Sequence, residues 1–279
     1  MNKQLYPCLW FDGNGREAAE FYSSVFDHGA IIEQAPMVSV FTVENTRLMI
    51  LDGGPGFSPN QAVSYYVYCG SAEKLDRLYT ALVTGGTVLM APGKYEWSDR
   101  YCWLSDKYGV SWQLDADDAG SDQKIFPTLL FANEKRGRVK EAQQYYRQVF
   151  PEGKVLLEAP YPADAGFPEG TLLFTQFALL DCKFNAMSSS IPHDFDFTEG
   201  NSFVVECASQ AEIDYYWNEL TQGGQESMCG WLKDRFGVSW QIVPRNIGTL
   251  MNHPQKGPAV VSALMKMRKI DVEVLKNAG

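Results

Sequence analysis

An α+β fold built by duplication is what this 279-residue sequence predicts, and three observations predict it. The stretch Trp103-Leu-Ser-Asp-Lys-Tyr-Gly-Val-Ser-Trp-Gln113 recurs as Trp231-Leu-Lys-Asp-Arg-Phe-Gly-Val-Ser-Trp-Gln241, with eight of eleven positions identical. Flanking segments align too: Glu17–Phe26 with Glu141–Phe150, Ser64–Cys69 with Ser202–Cys207, and Ser71–Gly86 with Ser209–Gly224. Within each copy, short apolar runs bounded by turn residues alternate with stretches of helical period. A self-similar unit of this kind is read as the folding module before anything else.

The elements follow in order. Leu5–Phe11 is a short apolar run and reads as a strand. Ala18, Phe21, Tyr22, Val25 and Phe26 then recur at i, i+3, i+4, i+7 and i+8, a helix with one buried face; Ala142, Tyr145, Tyr146, Val149 and Phe150 repeat it. Three strands are expected near 30–35, 37–44 and 46–51, broken by Glu44-Asn45 and by Asp52-Gly53-Gly54-Pro55. A Val/Tyr-rich strand at 62–69 leads to Ser71, an N-cap, and to a helix burying Leu75, Leu78 and Leu82 that ends at Gly85-Gly86. Ser209 and Glu212 make a capping box in the second copy. Strands near 87–91, 100–105 and 110–115 complete the copy, so each reads β-α-β-β-β twice. The polar run 116–123 is the connection between copies, giving domains 1–117 and 118–279. Beyond Pro244, the apolar stripe Val260, Val261, Leu264, Met265 and Met267 predicts a helical extension docked on the body of the protein, with Asp271 capping a last short helix.

Composition narrows the function. The 34 acidic and 24 basic residues leave a net charge of −10, and neither half is basic, so a nucleic-acid partner is not expected. No run approaches the roughly 18 apolar residues of a membrane span, and the first residues lack the apolar region of a signal peptide. The six cysteines form no CxxC pair and fit free thiols in a reducing cytoplasm. The glycine-rich pieces Gly13-Asn14-Gly15 and Asp52–Gly56 lack the strand–loop–helix context of a nucleotide or methyl-donor site, so they read as turns and no cofactor is expected. His28, His193 and His253 read as surface or capping residues.

Four segments together resemble a known family. They are Leu9-Trp10-Phe11-Asp12-Gly13 leading into the Phe21-Tyr22 helix, the Asp52-Gly53-Gly54-Pro55 turn, the two Asp-(Lys/Arg)-(Tyr/Phe)-Gly-Val-Ser-Trp-Gln strands, and the tail Val260–Leu275. The chain resembles the PhnB-like branch, labelled 3-demethylubiquinone-9 3-methyltransferase, of the vicinal oxygen chelate superfamily of glyoxalases and bleomycin-resistance proteins. The resemblance implies two tandem domains, each with two βαβββ modules in an open barrel-like sheet. It also implies an internal pseudo-dimer able to form homo-oligomers.

In metal-using members of that superfamily, His, Gln or Glu ligands project from facing strands. Here the matching last-strand positions hold Gln113 and Gln241, and the fifth-strand positions fall on or beside Ser64 and Ser202. The first strands, 5–11 and 125–131, carry no His, Glu or Gln. Neutral amides and hydroxyls suit a hard dication poorly, so no metal site is expected. What the pattern retains is a cavity for a small metabolite or xenobiotic, with Gln113, Ser64, Gln241 and Ser202 as its polar groups. Cys8, on the first strand, is a further lining candidate, and Trp97 is a lid candidate on a polar hairpin tip that the second copy lacks. A metal-dependent lyase, isomerase or dioxygenase and a ligand-free interaction module are the alternatives.

Overall fold

The computed structural model describes residues 4–278. The first copy contains β1 (Leu5–Phe11), α1 (Gly15–Val25), β2 (Ala30–Gln34), β3 (Val38–Val43) and β4 (Thr46–Asp52), then β5 (Val63–Tyr68), α2 (Ala72–Val83), β6 (Thr87–Tyr95), β7 (Ser98–Ser105) and β8 (Ser111–Asp115). The second contains β9 (Ile125–Phe131), α3 (Val139–Val149), β10 (Lys154–Pro160), β11 (Leu172–Leu179) and β12 (Cys182–Ser188), then β13 (Asn201–Cys207), α4 (Gln210–Thr221), β14 (Gln225–Glu226), β15 (Trp231–Lys233) and β16 (Ser239–Pro244). Three short helices follow: α5 (Ile247–Met251), α6 (Gly257–Leu264) and α7 (Val272–Lys276). Four βαβββ modules are thus present, in the order read from the sequence.

Two compact units result. One is residues 6–201; the other runs from Ser202 onward with Gln4 and Leu5. In the larger unit the first module pairs its strands in the order β1-β4-β3-β2. The second and third modules share one open eight-stranded sheet, β10-β11-β12-β9-β5-β8-β7-β6. That barrel-like sheet therefore takes one module from each copy: β5 is antiparallel to β9 across the connection at 116–123 and parallel to β8 on its other side. Alternation along the strands gives the sheet two faces. Tyr65, Val67, Trp112 and Leu114 turn toward α1 and α2 and join Leu9, Tyr22, Phe41, Leu75, Leu78 and Leu82 in one core, so the first two modules pack against each other.

The repeated motif is explained by a buried carboxylate. Asp106 Oδ1 accepts from the backbone N–H groups of Tyr108 and Val110, at 2.8 and 3.0 Å, and Oδ2 accepts from Trp112 Nε1 at 2.8 Å and Tyr22 Oη at 2.7 Å. Asp234 does the same for Phe236, Val238 and Trp240, at 2.8, 3.1 and 2.9 Å. The glycine of each turn, Gly109 or Gly237, has φ near +81° or +86°, which a side chain would resist. The tryptophans therefore point to the helices, and their neighbours Gln113 and Gln241 to the other face.

The second glycine-bearing turn is equally structural. Asp52 Oδ1 accepts from the N–H groups of Gly13 and Gly15, filling the start of α1, and a Cβ on Gly53 would sit 2.1 Å from the Trp10 indole. Ser71 and Ser209 cap α2 and α4 as read. Glu212, however, reaches back to the N–H of Ala208, one residue before the cap. The C-terminal helices dock: Val260, Leu264, Ile270 and Leu275 bury together, and Asp271 caps α7. The expected stripe is narrower than read, because Val261 and Met265 are exposed.

Candidate functional site: the helix-free face of the eight-stranded sheet

Residues alternating with the core positions form the opposite face of the sheet. On β5 these are Ser64, Tyr66 and Tyr68; on β8, Ser111, Gln113 and Asp115; on β7, Tyr101 and Trp103. From the second copy, β9 contributes Phe126 and Thr128, and β12 contributes Lys183, Asn185 and Met187. Aromatic rings alternate with small polar groups, the composition of a small-molecule site.

Three of the six sequence candidates meet here. Gln113 is buried between two partners: Tyr101 Oη donates to its Oε1 at 2.6 Å, and its Nε2 donates to Ser64 Oγ at 2.6 Å. Met187 Sδ lies 3.6 Å from the same Nε2. Trp97, at the β6–β7 turn and 55% exposed, stacks on Tyr95 with centroids 5.2 Å apart and sets its edge against Tyr101 at 5.4 Å. A connected path thus runs from the exposed indole through Tyr101 to Gln113 and Ser64. The other three candidates lie elsewhere. Cys8 is buried on β1, its Sγ directed to the carbonyl of Leu9. Gln241 and Ser202 belong to the smaller unit, where Gln241 Nε2 donates to Ser202 Oγ at 3.0 Å.

The tyrosines were not singled out by the sequence, though extending the strand alternation from Ser64 and Gln113 reaches Tyr66, Tyr68 and Asp115. Asp115 is buried; Oδ2 accepts from Tyr66 Oη, and Oδ1 accepts from Ser98 Oγ at 2.7 Å and the N–H of Asp117 at 3.0 Å. Burial first, and then the Asp115 charge, pushes the phenols of Tyr66 and Tyr68 well above their ordinary range. Burial does the same for Tyr101. All three are therefore neutral hydrogen-bonding groups rather than bases. Asn185, Met187 and Lys183 reach this face only through pairing between copies, for which the sequence carries no signal.

The donor set bears on the superfamily's metal. The Gln113 carbonyl is occupied by Tyr101, and Ser64 is a neutral hydroxyl receiving the amide, so this set does not fit a hard dication. Among the described residues no three His, Cys, Asp or Glu side chains gather. His253 Nδ1 accepts from the N–H groups of Gln255 and Lys256, and His193 Nε2 lies 2.7 Å from Ser189 Oγ. Burial raises the thiols of Cys69, Cys102 and Cys207 to about 12, so these three are thiols rather than thiolates.

Comparison with known proteins decides the family. A family model described as 3-demethylubiquinone-9 3-methyltransferase matches residues 3–115 and again 123–243. The chain belongs to that family, within the vicinal oxygen chelate superfamily. Among solved structures, the chain is similar to a putative 3-demethylubiquinone-9 3-methyltransferase, PhnB protein, from Bacillus cereus. It is 32% identical over 40% of this chain and 98% of its own, with a TM-score of 0.39. Protein PA1353 from Pseudomonas aeruginosa is 26% identical over 39% of this chain and 94% of its own, TM-score 0.36. Glyoxalase I from Zea mays covers 88% of this chain and 92% of its own at 10% identity, TM-score 0.57, a likeness of fold alone. No curated protein sequence matches the chain. No helix among the described residues is long and apolar enough to cross a membrane.

Proposed function

We propose that the helix-free face of the eight-stranded sheet binds a small, partly aromatic metabolite or xenobiotic through neutral hydrogen-bonding groups and without a metal ion. The observation that carries this reading is the path Trp97–Tyr101–Gln113–Ser64, which links an exposed indole to a buried amide. Stacking on Trp97 and Tyr95 supplies apolar contact, and Gln113 supplies orientation once its Ser64 partner yields. The copies 1–117 and 118–279 are units of duplication in this reading, and the site draws on both. A cytoplasmic location and assembly into homo-oligomers accompany it as parts of the same proposal.

The test is a thermal-shift and calorimetric screen of small aromatic metabolites against the whole chain. A ligand should lose about tenfold or more in affinity with Gln113→Leu or Trp97→Ala while the fold survives. Ligands that bind but are indifferent to both changes would move the site. Elemental analysis of protein purified without a histidine tag checks the rest: one tightly held divalent ion per chain would overturn the metal-free part.

A further inference from the structure

The half of this face contributed by the second copy has its own unsatisfied chemistry. Lys183 and Asn185 stand two residues apart on β12 and so share a face. Asn185 is fully buried; its Nδ2 donates to Thr128 Oγ1 at 3.2 Å, but its Oδ1 has no hydrogen-bond partner. A buried carbonyl oxygen left unpaired costs free energy and calls for a donor.

Lys183 is half-buried, and its ammonium lies 5.8 Å from the centre of the Phe126 ring, which meets Tyr68 edge-on at 5.0 Å. Among the described residues it has no carboxylate within ion-pair distance, in a chain where acidic residues outnumber basic ones 34 to 24. Its backbone is fixed from outside the strand. Gln123 Oε1 accepts from Lys183 N–H at 2.9 Å, and Gln123 Nε2 donates to the Lys183 carbonyl at 3.0 Å. Beside it, Gln176 Nε2 donates to Tyr68 Oη, and the same hydroxyl interacts with the Asn185 side chain.

The buried carboxylate on this face of the sheet is Asp115, on β8. Strands β5 and β9 separate β8 from β12, about 14 Å at the usual spacing. Asp115 is bound by Tyr66, Ser98 and the N–H of Asp117, and its charge acts on Tyr68, which it faces across one strand spacing, rather than on Lys183. The face is therefore polarised, with its negative charge at one end and an unpaired ammonium at the other.

We propose that this corner is a subsite for an organic acid bearing a hydroxyl or N–H group next to its carboxylate. Lys183 and the Tyr68 hydroxyl receive the carboxylate, and the neighbouring donor satisfies Asn185 Oδ1. The inference rests on the face being the ligand site and adds the ligand's class: an aromatic hydroxy or amino acid, its ring extending toward Phe126 and Met187. Tyr68 and Met187, both half-buried, are the side chains that move to admit it.

Isothermal titration of the whole chain with 2-hydroxybenzoate, benzoate, 2-hydroxybenzamide and benzyltrimethylammonium tests this. The expected affinity order is 2-hydroxybenzoate, then benzoate, then the neutral amide, with the cation weakest. Lys183→Met should weaken 2-hydroxybenzoate by about tenfold or more and leave the amide within twofold, and Lys183→Arg should restore most of the loss. Asn185→Leu should erase the advantage of 2-hydroxybenzoate over benzoate; if it unfolds the chain, the benzoate comparison in the parent protein gives the same answer. The acid subsite is overturned if the amide or the cation binds as well as the acid, or if Lys183→Met changes nothing. Should the amide bind and depend on Gln113 but not Lys183, the acid subsite fails and the ligand face stands. If none of the four binds in a way that either residue affects, the acid subsite fails, and the broader screen judges the face.

Discussion

The second and fourth modules carry the same eleven-residue motif and differ in what surrounds it. In the second, β6 and β7 run nine and eight residues to a free tip bearing Trp97, and Tyr101 holds Gln113 from the side opposite Ser64. In the fourth, β14 and β15 have only two and three residues, and the position aligned with Tyr101 is Cys229. The C-terminal segment takes the edge instead: Cys229 and Gly230 donate their N–H groups to the carbonyls of Met267 and Arg268, at 2.7 and 2.8 Å. A Cβ on Gly230 would stand 2.6 Å from the Ile242 carbonyl and 2.9 Å from Ile270, so the glycine is needed for that docking. The comparison teaches that the motif secures a strand and its tryptophan. Whether the neighbouring amide serves a ligand depends on the arm beside it.

The strongest way to break the equivalence is to remove the shared carboxylate. Asp106→Ala strands Tyr22 Oη, Trp112 Nε1 and two backbone N–H groups, and Asp234→Ala strands Trp240 Nε1 and two N–H groups. Each should lower stability by about 3–5 kcal/mol in chemical denaturation, at about 1–3 kcal/mol per orphaned group with partial relaxation. A small loss at either one would show that the two turns are not doing the same work.

Next is the arm itself. Leu275→Ala empties a fully buried position in the C-terminal cluster and should cost about 2–4 kcal/mol, read as a shift of the denaturation midpoint. Ligand binding should be unchanged, because the cluster lies in the smaller unit. A loss of binding at intact fold would contradict the assignment of the site to the second and third modules.

The glutamines sharpen the contrast at lower cost. Gln113→Leu leaves Tyr101 Oη and Ser64 Oγ unpaired and should destabilise by about 1–3 kcal/mol while weakening ligand binding about tenfold or more. Gln241→Leu should destabilise by a comparable or smaller amount and leave binding intact. Equal effects on binding would make the two modules functionally alike, against the proposal.

The smallest expected effect is electrostatic. Lys74 bridges Asp27 and Glu44, at 3.0 and 2.8 Å, and holds the Asp27 carboxyl below its ordinary range. A carboxylate depressed in the folded state contributes stability above its unfolded pKa of about 3.9 and loses it as pH falls through the folded value. Asp27 is half-exposed, so solvent screening limits the contribution to at most about 1 kcal/mol. Asp27→Asn should flatten the decline in melting temperature below about pH 4 relative to the parent chain.

The duplicated βαβββ order, the capping serines, the buried faces of α1 and α2, and the turn of Gln113 away from the helices were legible in the sequence. Each follows from local rules: a 3.6-residue or two-residue period, a hydroxyl three residues before an N–H, a glycine where φ is positive. The Gln113–Ser64 pair was legible as well, since alternation along two strands puts both on one face. Tyr66, Tyr68 and Asp115 needed only the same alternation carried further. Lys183, Asn185 and Met187 were not legible, because their place in the same sheet as β5 depends on β9 pairing with β5 across the connection at 116–123. Strand pairing is set by backbone hydrogen bonds, which carry no side-chain signature, and by burial summed over the whole sheet. Local pattern therefore determined what each module is. Only the tertiary structure decided which modules share a sheet, and with that, which residues face one another across the site.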